Sequence, residues 1–366
     1  MLLYITRKNA PSIGGMQRFN QKLIRHLAGH RPFRLVSWGG SQAFLPAFLL
    51  IAFARAVWLR LSGKIDLIYL SDGLLAPLGL VLKKLLRVPA AVNVHGRDIA
   101  FAFPLYLTVV PAALKRLDLV ICVSSQLKEI CLGYGVPESI LRVVPNGIDP
   151  ADFAGPAPVP VERSLGVDTA GRTVLITVGR LVPKKGVDRF VAEILPRLLR
   201  EAPEVLYLVA GDGPLREKIE SIVERKGLGD HVRLLGNLPM DDGRLPALYR
   251  AADVFVMPNV EVGGDIEGFG IVAIEAAAAG LPVVASRLQG IREAVREGEN
   301  GILLPWDDPA AFVEVILDLV KNPEKRRELG ERARRWTAEN YSWDRIAGRY
   351  SRLFESLEVC LRPPAD

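Results

Sequence analysis

The densest run of chemically capable residues is EGFGIVAIEAAAAG, residues 267–280. Glu267 stands before Gly268 and Gly270, and a second carboxylate, Glu275, follows inside a run of small apolar helix formers that ends at Gly280. Glycine lets the backbone come close to a ligand. The helix that starts there aims unpaired N–H groups at the same spot, which favours phosphate. Glu275 would stand about one and a half turns into the helix, at ~1.5 Å per residue. An acceptor-only carboxylate at that point suits the paired hydroxyls of a ribose. The plainer alternative is a buried helix with a glutamate at each end.

A second cluster lies in VGRLVPKKG, residues 178–186, with Arg180 at the end of an apolar run, Lys185 five residues on, and Gly186 free to turn the chain. A guanidinium fork and a point-charge ammonium that converge suit a diphosphate. A solvated basic loop is the alternative, and the strand-end position argues against it. Gly14 and Gly15 in GGMQRF follow the first apolar run and would form a second glycine-rich loop, although a lone Gly-Gly is more often only a turn. His95 ends AAVNVH and is followed by Gly96, Arg97 and Asp98, whereas His26, His30 and His231 have no comparable setting. Asp241 and Asp242, in MDDG, could suggest a metal pair. They also sit where a helix over 241–251 would begin, and an N-cap with a first-turn acid explains them without a metal.

These residues need strands that end beside one another. Six continuous apolar runs occupy the first half, at 2–6, 33–38, 66–71, 90–95, 119–124 and 141–146. Six more follow at 173–180, 205–211, 231–237, 253–259, 281–286 and 301–306. Runs without two-residue alternation are expected of parallel strands covered on both faces. Helical stretches separate them. Between the two sets, AGPAPVPVERSLGVDTAGR (154–172) reads as a linker. The expectation is an α/β protein of two Rossmann-like domains, 1–155 and 172–342, facing each other across a cleft. Ligands would then sit beyond the carboxyl ends of the strands, where Arg180, Lys185 and His95 fall.

Composition is that of a soluble globular chain, with three scattered cysteines that suit core packing better than a disulfide framework. The first apolar run is only five residues long, so no secretory signal is read there and a cytoplasmic location is expected. Residues 43–61, AFLPAFLLIAFARAVWLRL, leave three readings open: a bilayer span interrupted by Pro46, Arg55 and Arg60, a helix buried in the first domain, or a helix lying on a membrane surface. Up to residue 150 there are 18 Lys/Arg against 7 Asp/Glu, and in the remainder 29 against 34. A basic half argues for an anionic partner. The basic residues lack the aromatic interleaving of a base-stacking platform, so lipid head groups or an acidic acceptor are favoured over nucleic acid.

In order along the chain, GGMQRF (14–19), NVHGRDIA (93–100), VSSQLKEI (123–130), VVPNGID (143–149), VGRLVPKKG (178–186), VAGDGP (209–214) and EGFGIVAIE (267–275) closely resemble the motifs of glycosyltransferase family 4. The resemblance covers nearly the whole chain. It implies the GT-B fold, with a final helix near 343–359, within 343–366, crossing back to the N-terminal domain. It also implies metal-independent, retaining transfer of a hexose from a nucleoside-diphosphate sugar, with no cofactor. The sugar nucleotide is then a substrate, GDP-mannose or UDP-glucose, and the acceptor a hydroxyl of a glycan or lipid-linked molecule of the cell envelope. On this resemblance Arg180 and Lys185 bind the diphosphate, and Lys184 faces solvent. The amides of Phe269, Gly270 and Ile271 meet the distal phosphate, Glu275 the ribose, and Glu267 the hydroxyls of the donor sugar. Gly14 and Gly15 approach the phosphate and acceptor, and His95 orients the sugar. Two rivals remain at this point: a nucleotide-sugar epimerase of the same fold, and a non-enzymatic protein that binds sugar nucleotide or membrane.

Overall fold

The computed structural model describes residues 1–9, 15–96, 98–99, 104–153, 165–238, 240, 243–263, 268–288 and 290–360. Within them the chain forms two compact units, one of Met1–Gly147 with Trp343–Asp366, the other of Ile148–Ser342. Each is built on a six-stranded parallel sheet.

In the first unit β1 (Leu2–Thr6), β2 (Phe33–Ser37), β3 (Leu67–Leu70), β4 (Ala90–Val94), β5 (Leu119–Cys122) and β6 (Leu141–Val143) are ordered β2-β1-β3-β4-β5-β6. The inner strands are buried along their whole length, while the edge strand β2 is largely exposed. That contrast is what the continuous apolar runs require of strands covered on both faces. Helix Ala76–Leu86 lies tight on the sheet: a side chain on Gly79 would come within 2.1 Å of Leu70 Cδ1. Helix Ser125–Gly133 is opened by Ser124, whose hydroxyl accepts from the Leu127 amide. The last helix, Trp343–Cys360, belongs to this unit and buries Ile346, Tyr350 and Phe354 against Tyr4 and Tyr69. Cys122 and Cys131 are buried free thiols, and the hydrogen bond with Cys131, together with burial, pushes the Cys122 thiol up.

The second unit holds β7 (Thr173–Val178), β8 (Val205–Ala210), β9 (Val232–Gly236), β10 (Val254–Met257), β11 (Val283–Ser286) and β12 (Ile302–Leu304), ordered β12-β11-β10-β7-β8-β9. From β9 to β12 the order is three strands outward in one sense, then three in the other, so chain direction across the sheet reverses between β7 and β10. In the first unit it reverses between β1 and β3. Such reversal points open a crevice beyond the carboxyl ends of the strands. The core of the second unit is large and apolar, with Phe190, Tyr207 and Phe312 each fully or almost fully buried. Side chains of that size are worth roughly 1.5–3 kcal/mol apiece when removed from water. The helical stretch 187–201 contains a π-turn at Phe190–Ile194 just before Pro196, whose missing N–H breaks the regular ladder.

The chain changes units at 147–148 and at 342–343, ahead of the proline-rich stretch whose residues 154–164 lie outside those described. Gly147 packs under Trp343, since a β-carbon there would lie 2.5 Å from the indole. Residues Pro150–Phe153 already belong to the second unit, where the Phe153 ring lies 5.6 Å from Tyr249.

No helix among the described residues is long and apolar enough to cross a membrane. The segment read three ways above forms helix Leu45–Leu61. It buries Phe48, Ala52, Ala56 and Leu59 against its unit and leaves its opposite face uncovered, so the reading as a helix buried in the first domain holds for one face only.

Candidate active site

In the second unit, the loops after β7, β8 and β10 are drawn together backbone to backbone. A β-carbon on Gly211 would lie 1.8 Å from the Gly179 carbonyl oxygen, and one on Gly186 would lie 2.0 Å from that of Pro258. Both glycines have positive φ (145° and 63°), so two separate constraints require glycine at each. The Val260 amide donates to the Lys184 carbonyl at 3.0 Å, fastening the β7 loop to the β10 loop across the reversal point.

This loop geometry places the basic pair. Arg180 stands two residues after β7 and is exposed, while Lys185 closes the turn Pro183–Lys185. The Lys185 side chain lies back along the strand end, since a β-carbon on Gly179 would meet its Cε at 3.4 Å. Gly186, in the left-handed region, then releases the chain into the following helix.

Helix Ile271–Ala278 starts from Gly270, which also has positive φ (79°) and abuts Met257, the last residue of β10. The amide end of the helix therefore stands at the carboxyl edge of the sheet, at the same reversal point as the basic loop. Ile271 is partly exposed and Phe269 is buried against the Tyr341 ring. Glu275 is 6% exposed and accepts from the Tyr249 hydroxyl at 2.9 Å. Tyr249 is itself fully buried beside Phe153 and Phe255. An ionised carboxylate offers about four lone-pair directions, and the Tyr249 hydroxyl takes one of them. Motif spacing did not disclose Tyr249. It comes from helix Arg244–Ala251, and only tertiary packing pairs it with Glu275.

In the first unit, His95 follows β4, and its ring meets Phe19, Asn93 and Ser71. Phe19 stands edge-on at 4.6 Å, and Nε2 lies 3.0 Å from both the Asn93 amide nitrogen and the Ser71 carbonyl oxygen. Asp98 explains the spacing that follows the histidine: one of its oxygens accepts from the amides of His95 (2.8 Å) and Gly96 (2.7 Å), the other from Gly73 (2.9 Å). It clamps the loops after β3 and β4 together. Gly15 opens helix Gly15–Leu27 after β1, with open space around it.

One feature here was not visible in the sequence. Arg7, just after β1, donates from Nε to Asp72, just after β3, at 2.9 Å across the reversal point of this sheet. Asp72 also caps the Gly73–Leu75 turn by accepting from the Leu74 amide. Burial raises the Asp72 carboxyl, with Arg7 pulling the other way, while burial and the adjacent Arg7 lower the Lys8 ammonium. A charged residue within two positions of the end of each of two buried strands was the available signal.

Gly14, Arg97 and Glu267 lie outside the described residues, as do Asp241 and Asp242. The helix expected over 241–251 begins instead at Arg244 behind Gly243, whose φ of 77° opens it without a side-chain cap. This corrects the reading of that aspartate pair as an N-cap. No group of three or more metal-ligating side chains gathers among the described residues. Of the remaining histidines, His30 pairs with Asp344 at 3.1 Å and His231 with the Val205 carbonyl at 3.0 Å, both structural contacts.

Residues 13–152 match the model for Glycosyltransferase Family 4, and residues 167–336 that for Glycosyl transferases group 1. The chain is 28% identical to a GDP-mannose-dependent alpha-(1-6)-phosphatidylinositol monomannoside mannosyltransferase of Mycolicibacterium smegmatis, over 96% of this chain and 97% of that one. An uncharacterised glycosyltransferase of Methanocaldococcus jannaschii is 32% identical over 78% of this chain and 73% of its own. Among solved structures, Anabaena HepE in complex with UDP superposes with a TM-score of 0.75 at 20% identity, covering 97% of this chain and 99% of that one. Sucrose-phosphate synthase of Thermosynechococcus elongatus gives 0.75 at 22% identity, covering 98% and 99%. The loops, helix end and buried glutamate described above thus stand in a chain matched along both units, and the protein belongs to the family 4 glycosyltransferases of the GT-B fold.

Proposed function

We propose that the protein transfers mannose from GDP-mannose, with retention of configuration, to a hydroxyl of a lipid-linked glycan acceptor. The carrying observation is the reversal point of the second unit, where the Arg180–Lys185 loop and the helix end at Gly270 share one edge of the sheet. A leaving nucleoside diphosphate gains negative charge as its bond to the sugar breaks. Arg180, Lys185 and the amides of 269–271 are donors suited to that charge, and such stabilisation is usually the largest catalytic contribution. Glu275, oriented by Tyr249, takes the ribose. The departing phosphate oxygen takes the acceptor's proton, so no separate general base is invoked. His95 orients the sugar, and Gly15 leaves room for the acceptor. GDP-mannose ranks ahead of UDP-glucose because relatives spanning almost the whole chain are GDP-mannose-dependent mannosyltransferases. Their acceptor, a phosphatidylinositol mannoside, supports a lipid-linked acceptor here, worked on in the cytoplasm at the membrane face. The diphosphate is neutralised by side chains and amides, so no divalent ion and no cofactor take part.

Thermal-shift titration with GDP-mannose, UDP-glucose and other sugar nucleotides tests the donor, since a ligand that binds only the folded state raises apparent stability with its concentration over Kd. Stabilisation by UDP-glucose and none by GDP-mannose would reverse the assignment. Arg180→Ala and Lys185→Ala should each lower turnover by roughly 10²–10³-fold with the melting temperature nearly unchanged. Activity should survive EDTA; loss on chelation with recovery in Mg²⁺ or Mn²⁺ would end the metal-free mechanism.

A further inference from the structure

Helix Leu45–Leu61 is apolar on both sides. Its inner face is buried, and its outer face, on the spacing 47, 50, 51, 54, 55, 58, 61, is apolar at every position but Arg55. Leu50 is 72% exposed, Ile51 61%, Trp58 49% and Leu61 83%. The neighbouring helix Ala76–Leu86 adds Val81 and Leu85, exposed at 52% and 58%. The two helices are joined by Arg60, whose Nε donates to the Leu86 carbonyl at 3.1 Å. Isolated exposed leucines are ordinary, but a whole apolar helix face beside a second one marks a surface that meets something other than water.

The charges say what. Neither helix contains an Asp or a Glu, and both carry Lys or Arg. Arg55 lies 4.5 Å over the Trp58 ring and Lys64 lies 5.3 Å from it, so two cations flank the outermost indole. Lys84 and Arg87 stand exposed on and just beyond the second helix. Lys83 is spent on Asp118 at 2.8 Å. An apolar stripe with an aromatic at its edge and long cationic side chains beside it suits a headgroup and acyl boundary of negative charge. A protein partner of matching shape would equally cover the leucines, but two helices that carry cations and no acid of their own favour an anionic surface.

We infer that this two-helix face is the membrane-docking surface of the enzyme, with Leu50, Ile51, Trp58, Leu61, Val81 and Leu85 entering the interface of an anionic bilayer and Arg55, Lys64, Lys84 and Arg87 meeting its head groups. The inference deepens the reading of a lipid-linked acceptor and rests on it for its purpose. The surface holds the enzyme where its acceptor resides.

Vesicle sedimentation of the full chain tests it. The protein should pellet with vesicles of phosphatidylglycerol in phosphatidylcholine at low salt, lose binding as salt rises, and stay in the supernatant with phosphatidylcholine alone. Leu50→Glu with Ile51→Glu should reduce partitioning roughly ten-fold or more, and Arg55→Glu with Lys84→Glu by a similar factor. All four side chains are exposed, so circular dichroism should be unchanged. Equal pelleting of the Leu50/Ile51 variant, equal binding to neutral vesicles, or no binding at low salt would overturn the inference. So would a dimer, seen in ultracentrifugation, that the same variant dissolves. Binding of GDP, followed by calorimetry without lipid, separates this test from that of the transferase reading: the variants should bind GDP as the parent does, and failure of the parent to bind GDP strikes the donor assignment alone.

Discussion

At the scale of single residues, the candidate site of the second unit could be proposed from sequence because its chemistry is concentrated in short segments. Arg180, Lys185 and Glu275 could be named from a strand end, a turn glycine and a helix start. Tyr249 and the Arg7–Asp72 pair could not, because their partners lie 26 and 65 positions away and only the folded sheets bring them together. The Tyr249 contact sharpens the prediction for Glu275. Glu275→Ala removes a charged acceptor worth roughly 1.5–3 kcal/mol, so GDP should bind about ten- to a hundred-fold more weakly. Tyr249→Phe leaves the carboxylate present but loosely oriented and should cost about 0.5–1.5 kcal/mol. Calorimetry with GDP and with its 2′,3′-dideoxy form decides whether ribose is the partner. If Glu275→Ala weakens both nucleotides equally, Glu275 is a structural residue and not a ribose ligand.

At the scale of elements, all twelve strands lie where the apolar runs place them, with ends shifted by no more than a few residues. Burial on both faces makes such runs unambiguous. Helix Leu45–Leu61 was less legible for the opposite reason: a segment apolar all round gives no hint of which face the fold will cover. The final helix shows another thing that spacing cannot disclose. From it, the Tyr350 hydroxyl donates to Asn93 Oδ1 at 2.7 Å, which turns the Asn93 amide nitrogen toward His95 Nε2. The Ser71 carbonyl faces the same nitrogen. The amide calls for a lone pair on Nε2 and the carbonyl for a proton, so the two pull the imidazole tautomer in opposite senses. Tyr350→Phe frees the amide to turn its oxygen inward and should favour the proton on Nε2. The histidine ring-nitrogen shifts in NMR should move accordingly. Loss of about 1 kcal/mol of hydrogen bonding should lower the melting temperature by about 2–4 °C. Turnover should fall more than donor affinity. An unchanged tautomer with normal turnover would reduce Tyr350 to a packing residue.

At the scale of the whole molecule, both units bury tyrosine hydroxyls deep in their cores, and this sets an alkaline limit on stability. In the first unit Tyr4, Tyr69 and Tyr350 are fully buried, with ring centroids 4.8 Å and 6.0 Å apart along the series. In the second, Tyr207 donates to Thr177 Oγ1 at 2.6 Å, and Thr177 in turn donates to the Val256 carbonyl, tying β8 to β7 and β10. Desolvation is the first cause that raises all four phenols; the nearby Tyr350 adds to it at Tyr4 and Tyr69, while the hydrogen bond with Tyr69 works against it at Tyr350. The native state therefore holds these protons at a pH where the unfolded chain, with phenols near 10, has released them. Stability rises with pH only where the unfolded state binds more protons, so here it must fall, beginning near pH 10, by up to about 1.4 kcal/mol per pH unit for each such tyrosine. Thermal scans between neutral and strongly alkaline pH should show melting temperatures nearly level up to about pH 10 and declining steeply beyond it. Phenolate absorbance provides the check on cause. Of the eight tyrosines in the chain, Tyr4, Tyr69, Tyr207 and Tyr350 should ionise only together with loss of far-UV circular dichroism, and Tyr207→Phe should remove one step from the second unit alone. Smooth ionisation of all eight near pH 10 in a protein still folded would mean that these cores admit hydroxide, contrary to the burial on which both sheets depend.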